Sequence, residues 1–86
     1  MVGPKMTDHK SLERITLDHQ IMSGKPVIRG TRLTVEFILR LLAQGSTPED
    51  IISEYPRLVP EDIRACLHFA SRTLESASFL PLEHEV

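Results

Sequence analysis

The chain has a single cysteine, Cys66, in 86 residues. No disulfide can form within it, and a lone thiol suits a reducing compartment, so a cytoplasmic location is expected. No apolar run approaches the roughly 20 residues of a membrane span. The first residues, MVGPKMTDHK, lack the apolar stretch of a signal peptide. Neither a membrane partner nor export is expected. Net charge is also small, at −2, which argues against a strongly cationic nucleic-acid binder. Internal repeats and low-complexity tracts are absent. Length is short as well. A chain of this size is one domain and buries only about 60% of its unfolded surface, so it needs tight packing or a partner chain.

What charge there is lies unevenly. Residues 1–33 carry six Lys and Arg against three acids, a net of +3. Residues 34–86 carry four against nine, a net of −5. The N-terminal part suits phosphates or an acidic protein, and the helical body repels them.

Residues 1–12 are polar and unpatterned and read as a flexible arm. The domain proper spans 13–76, and 77–86 form an apolar tail with Phe79, Leu80 and Leu82 around Pro81. That tail suits a fold-back over the core or docking on another chain. Within the domain, Ile15-Thr16-Leu17 and Val27-Ile28-Arg29 are short strands that pair as an irregular hairpin. The loop between them ends in Ser23-Gly24-Lys25-Pro26. Gly24 permits a positive φ, and Pro26 fixes its own φ and biases Lys25 toward an extended form. Gly30 breaks the second strand and suggests a close backbone approach.

Three helices follow. The first starts at Thr34 as cap, with a Leu33–Ile38 staple, and stops near Gln44 before Gly45. Thr47-Pro48-Glu49-Asp50 opens the second, which ends before Pro56. Pro60-Glu61-Asp62 opens the third, which runs to about Ser76. Its cap position is Val59, a local defect because valine accepts no hydrogen bond. Ile63, Cys66, Leu67, Ala70 and Leu74 follow the amphipathic spacing. On the first helix, Phe37 and Leu41 widen the apolar arc to roughly 240°, well beyond a one-sided surface helix. Either the hairpin and tail cover the second side, or a homodimer forms through Phe37 and Leu41.

No catalytic constellation stands out, and no enzyme is expected. His9, His19, His68 and His84 are scattered without metal-ligand spacing, so neither a metal nor a cofactor is expected. Cys66 lies on an apolar stripe with no basic neighbour to lower its pKa, as a structural thiol does. The acids Glu49, Asp50, Glu61 and Asp62 suit helix starts, and Glu54 a solvated face. What remains is the basic set Lys25, Arg29 and Arg32, without an acid between Gln20 and Val35. The helix order also has a helix-turn-helix outline. Its recognition helix opens with acids, so Arg64 is the contact expected from that element and the hairpin cations should contribute more to any DNA binding.

The run Ile15–Ser71 resembles a bacterial family, domain of unknown function 433. The resemblance rests on Ile15, Asp18, Ser23-Gly24-Lys25-Pro26-Val27-Ile28-Arg29-Gly30-Thr31-Arg32, Leu42, Gly45, Pro48-Glu49-Asp50-Ile51, Tyr55-Pro56 and Pro60-Glu61-Asp62-Ile63. It implies a mainly α fold, a homeodomain-like three-helix bundle after a short β-hairpin. It also implies an antitoxin role in a type II toxin–antitoxin pair, with a PIN-like nuclease toxin as partner and operator DNA as a second one. The alternative is a stand-alone DNA-binding transcriptional regulator. In either case Lys25, Arg29, Arg32 and Arg64 are the expected contacts to phosphate or an acidic partner. Gly24, Pro26 and Gly30 shape the loop. Phe37, Leu41, Phe79, Leu80 and Leu82 are the expected protein interface.

Overall fold

Helix starts set the frame, because each leaves backbone N–H groups that need acceptors. Thr47 Oγ1 accepts from the Asp50 N–H at 3.1 Å, and the Asp50 carboxylate accepts from the Thr47 N–H at 3.0 Å. This reciprocal box, with Pro48 at the first helical position, opens α2 (Pro48–Glu54). Thr34 caps α1 (Val35–Ala43) by accepting from the Phe37 N–H at 3.0 Å. At the start of α3 (Pro60–Ser76), the Val59 side chain accepts nothing. Yet its own N–H donates to Asp62 Oδ2 at 3.0 Å, so half of the expected defect is repaired from within the first turn. The computed structural model describes residues 10–77.

Strand β1 (Ile15–Thr16) pairs antiparallel with β2 (Val27–Ile28), Ile15 opposite Ile28 and Thr16 opposite Val27. The hairpin is as expected but shorter: Leu17, 64% exposed, lies beyond it. Strand β2 also bonds on its other side. The Ile28 N–H donates to Leu33 O and the Val35 N–H to Pro26 O, both at 2.9 Å. The turn from Arg29 to Arg32 therefore folds the chain back along β2 and delivers it into α1. Thr31 closes that turn: its N–H and hydroxyl both donate to Ile28 O, and the hydroxyl accepts from the Leu33 N–H. Gly30 sits at φ +85°, with no atom within 4 Å of where a Cβ would stand. The position calls for glycine to reach a left-handed dihedral, not to let another backbone approach.

The result is mainly α, with the hairpin first and three helices behind it. Helix α3 touches α1, α2 and β1, and α1 touches α2. Ile15, Ile28, Val35, Ile38, Ile51, Leu58, Ile63, Ala65 and Cys66 form the core. Phe37 and Leu41 are half-buried and pack against it from α1. The wide apolar arc of α1 is thus covered at those two positions by this chain's own helices. Residues 10–12, read from sequence as arm, are helical. Phe79, Leu80 and Leu82 lie outside the described residues.

One expectation fails along α3. Its N-terminal half is buried at Asp62, Ile63, Ala65 and Cys66, but Leu67 and Leu74 are 50% and 58% exposed. Phe69, left out of the sequence stripe, is the residue that packs on the core beyond Cys66. The core turns about the helix axis, and the stripe Ile63-Leu67-Ala70-Leu74 drifts away from it.

Candidate interaction surface

The loop before β2 is tightly wound. Met22, Ser23 and Gly24 form a one-turn element with φ of 49°, 59° and 81°, three left-handed residues in a row. Two of them carry side chains, at a cost of about 1–2 kcal/mol each. The Gly24 N–H to Ile21 O and the Lys25 N–H to Met22 O, at 3.0 and 3.1 Å, hold the turn. A Cβ at Gly24 would stand 3.2 Å from His19 Nδ1, so this glycine does admit a close neighbour. Lys25 then returns to extended backbone before Pro26, as expected.

From there Lys25 Nζ reaches Glu36 Oε1 on α1 at 3.1 Å, and Arg40 donates to Glu36 Oε2 at 3.1 Å. The Lys25 hydrogen bond and charge, then the Arg40 charge, hold Glu36 below the usual carboxylate range. The trio is exposed and screened, so it shapes charge more than it stabilises.

Arg29, though exposed, lies back along the hairpin. Its Nε donates to Glu13 O at 2.9 Å, and its terminal nitrogen lies 3.5 Å from Ile15 O. Beside it, Arg14 donates to Asp62 Oδ1 at 3.0 Å. Asp62 is only 7% exposed. The reading of all five helical acids as dipole partners or solvated charges is corrected at this residue. One carboxylate bonds both the entry to β1 and the entry to α3, which ties the hairpin to the bundle. Arg29 and Arg64 share a cleft of about 570 Å³ with Lys10 and Arg14, facing Glu13, Glu61 and Asp62.

Lys25 and Arg32 lie elsewhere. They share a cleft of about 380 Å³ with Met22, Phe37, Arg40 and Tyr55. Arg32 also lines a second cleft, of about 590 Å³, with Ile21, Thr31, Glu54, Tyr55 and Arg57. The four cations singled out from sequence are therefore split between two faces. Among the described residues the Arg32 guanidinium has no ion pair, whereas the Lys25 ammonium and the Arg29 guanidinium bond within the chain. Tyr55 stands between the two Arg32 clefts, and Phe37 meets its ring edge-on, with centroids 5.8 Å apart at 86°. Tyr55 and Arg57 were not anticipated as surface residues of interest. Their signal was an aromatic and a cation flanking Pro56 in the inter-helix loop.

Among the described residues, no three His, Cys, Asp or Glu side chains converge on a point where a metal ion would sit, and no helix is long and apolar enough to cross a membrane. Burial, with a smaller contribution from the Asp62 charge, pushes the Cys66 thiol up to about 12, far from nucleophilic range.

A two-stranded hairpin feeding three mutually packed helices, with its clefts at the surface, defines a small mainly α domain. The chain belongs to the family described as "Protein of unknown function (DUF433)", whose model matches residues 15–70. It is also similar in structure to a DUF433 member protein from Anabaena variabilis ATCC 29413, seen in a crystal structure. The TM-score is 0.68 at 22% identity, covering 86% of this chain and 79% of that one, a likeness of fold. No curated protein matches this chain.

Proposed function

We propose that this protein is a non-enzymatic interaction module of the cytoplasm: the antitoxin of a type II toxin–antitoxin pair, which masks a PIN-like nuclease toxin. The role is the one that the resemblance read from the sequence implies; the family itself is described as of unknown function. The observation that carries the reading is Arg32, an exposed guanidinium without an ion pair among the described residues, on a rim with Tyr55 and Arg57. Arginine and tyrosine are the residue types that anchor protein interfaces. A metal-dependent nuclease presents carboxylates for its divalent ions, and a free guanidinium meets a carboxylate with two parallel hydrogen bonds. Glu36 and Glu54 on the same surface weigh against a continuous phosphate backbone as the ligand.

The test is co-expression with the protein encoded by the adjacent reading frame, with the complex and any nuclease activity of that protein both measured. Wild type should co-purify and silence the nuclease. Arg32→Glu should weaken the complex at least tenfold without changing the melting temperature. An unchanged complex would reject the Arg32 surface, and the absence of any complex would reject the antitoxin role.

A second reading, a DNA-binding regulator with a homeodomain-like helix-turn-helix, draws on Arg57 and Arg64. Both are exposed cations on or beside the turn between α2 and α3. Binding to the DNA upstream of its own reading frame that is tight at roughly 50 mM salt and falls steeply by 200 mM would favour it.

A further inference from the structure

The two clefts that meet at Arg32 are halves of one trough. Arg32, Leu33 and Tyr55 line both. From Arg32 one half, of about 590 Å³, reaches Glu54 and Arg57, and the other, of about 380 Å³, reaches Lys25, Glu36 and Arg40. Four cations thus stand against two acids, a net of +2, on a chain whose own net is −2. Lys25 and Arg40 are engaged by Glu36. The guanidinium groups of Arg32 and Arg57 are exposed and bond to no described residue. Between them, Leu33 and Tyr55 are half-buried and give the trough an apolar stretch. The walls are held in place. Thr31 closes the turn before Arg32 with its N–H and hydroxyl, and Phe37 braces the Tyr55 ring edge-on. The shape is therefore formed before anything enters, and little ordering is lost on binding.

We infer that the trough takes a linear acidic segment of the partner protein, with one carboxylate on Arg32, a second on Arg57, and an apolar side chain between them over Leu33 and Tyr55. The inference rests on the reading that this surface docks a protein, and it names the part of that protein that docks. Size selects a protruding segment: clefts of a few hundred cubic ångströms enclose side chains, whereas a flat face would rest on their rims. Charge selects an acidic one. Two guanidinium groups that the fold leaves without partners are the usual reader of an acidic motif, each meeting a carboxylate through paired hydrogen bonds. The order of the charges selects a peptide over a nucleic acid. Glu36 and Glu54 interrupt the cations, and a phosphate at every step of a strand must pass them, whereas a peptide can place a neutral residue there. The ends of this chain are poor occupants. Helix α3, 17 residues long, carries its C-terminus roughly 25 Å from the loop that holds Arg57. Residues 1–9 carry one acid, Asp8, against Lys5.

Fluorescence anisotropy of the full-length chain with a labelled peptide, glutamates on either side of a leucine, is the test. Wild type should bind it roughly tenfold more tightly than the same peptide with glutamines. Arg32→Ala and Arg57→Ala should each weaken binding by roughly tenfold. Both sites are exposed, and unchanged circular dichroism and melting temperature would show that the variants fold. Glu54→Gln removes a like charge from the trough and should tighten binding about threefold. Arg64→Ala, a cation of another cleft, should change nothing. Equal affinity for the glutamine peptide would overturn the inference. So would indifference to Arg32 and Arg57, or a loss at Arg64 as large as theirs. A single-stranded oligonucleotide that binds more tightly than the peptide, and is released by the same two changes, would overturn it as well. Self-association of the free chain that Arg32→Ala abolishes would put a second copy in the trough, and would overturn it too. The inference and the antitoxin role fail separately. A complex with the protein of the adjacent reading frame that forms while the peptide is ignored overturns the inference alone. Peptide binding without any such complex supports the inference and rejects the antitoxin role.

Discussion

The two halves of α3 share one amphipathic repeat and meet different fates. From Asp62 to Cys66 the helix buries Asp62, Ile63, Ala65 and Cys66, a carboxylate among them. From Leu67 to Ser76 the row of leucines that looks the same on a helical wheel stands in solvent. Spacing tells that a segment is a helix with an apolar side. It does not tell whose side chains cover that side, because that depends on where the neighbouring elements end. Here Val35 and Leu39 of α1 still share an apolar furrow with Phe69, Ala70 and Leu74, but they leave Leu67 and Leu74 half or more exposed.

Single substitutions should separate the halves sharply. Ile63→Ala, in the packed half, should cost about 3 kcal/mol in chemical denaturation, the usual loss for a buried aliphatic side chain. Leu74→Ala should cost less than about 0.5 kcal/mol, as exposed substitutions do. Equal costs would erase the distinction. Asp62→Asn comes next. It keeps the shape but withdraws the charge from Arg14 and weakens the hold on Val59, for a loss of about 2 kcal/mol, moderated because Arg14 is half in water.

Cys66 gives a pH handle on the packed half. Burial raises its folded pKa from the ordinary 9.0 to about 12. The folded state then holds the thiol proton more tightly than the unfolded state does. Stability from this group is full below pH 9 and declines as pH rises from 9 toward 12. Native protein at pH 8 should accordingly resist iodoacetamide, and the rate should rise by orders of magnitude on unfolding. Rapid alkylation of the folded chain would mean that the packed half opens readily. The smallest effect is expected at Arg32: Arg32→Glu should leave the denaturation midpoint where it is, because its guanidinium bonds to no described residue.

Much of the frame was legible in the residues. Thr34, Thr47-Pro48 and Pro60 are local signals, and local hydrogen bonds place three helix starts where those residues stand. The antiparallel pairing of the two short β-prone runs followed from the turn residues between them, while the register, Ile15 opposite Ile28, did not. The surface was harder to read. Lys25, Arg29 and Arg32 are near neighbours in sequence, so they looked like one basic patch. The fold leaves Lys25 and Arg32 on one cleft and turns Arg29 to another, and only the fold brings Glu36 to Lys25 and the Glu13 carbonyl to Arg29. Asp62 looked like an ordinary first-turn acid. Its burial depends on Arg14, 48 residues earlier, which no local pattern reports.

The most direct test is a pair of methyl NMR spectra, with and without a soluble paramagnetic probe. The Leu67 and Leu74 methyl signals should broaden strongly when the probe is added while those of Ile63 and Ile38 stay sharp, since the former face solvent and the latter are sealed in the core. Signals at Leu67 and Leu74 that stay sharp, or core isoleucines that broaden with them, would contradict the division of α3 into a packed and a solvent-facing half.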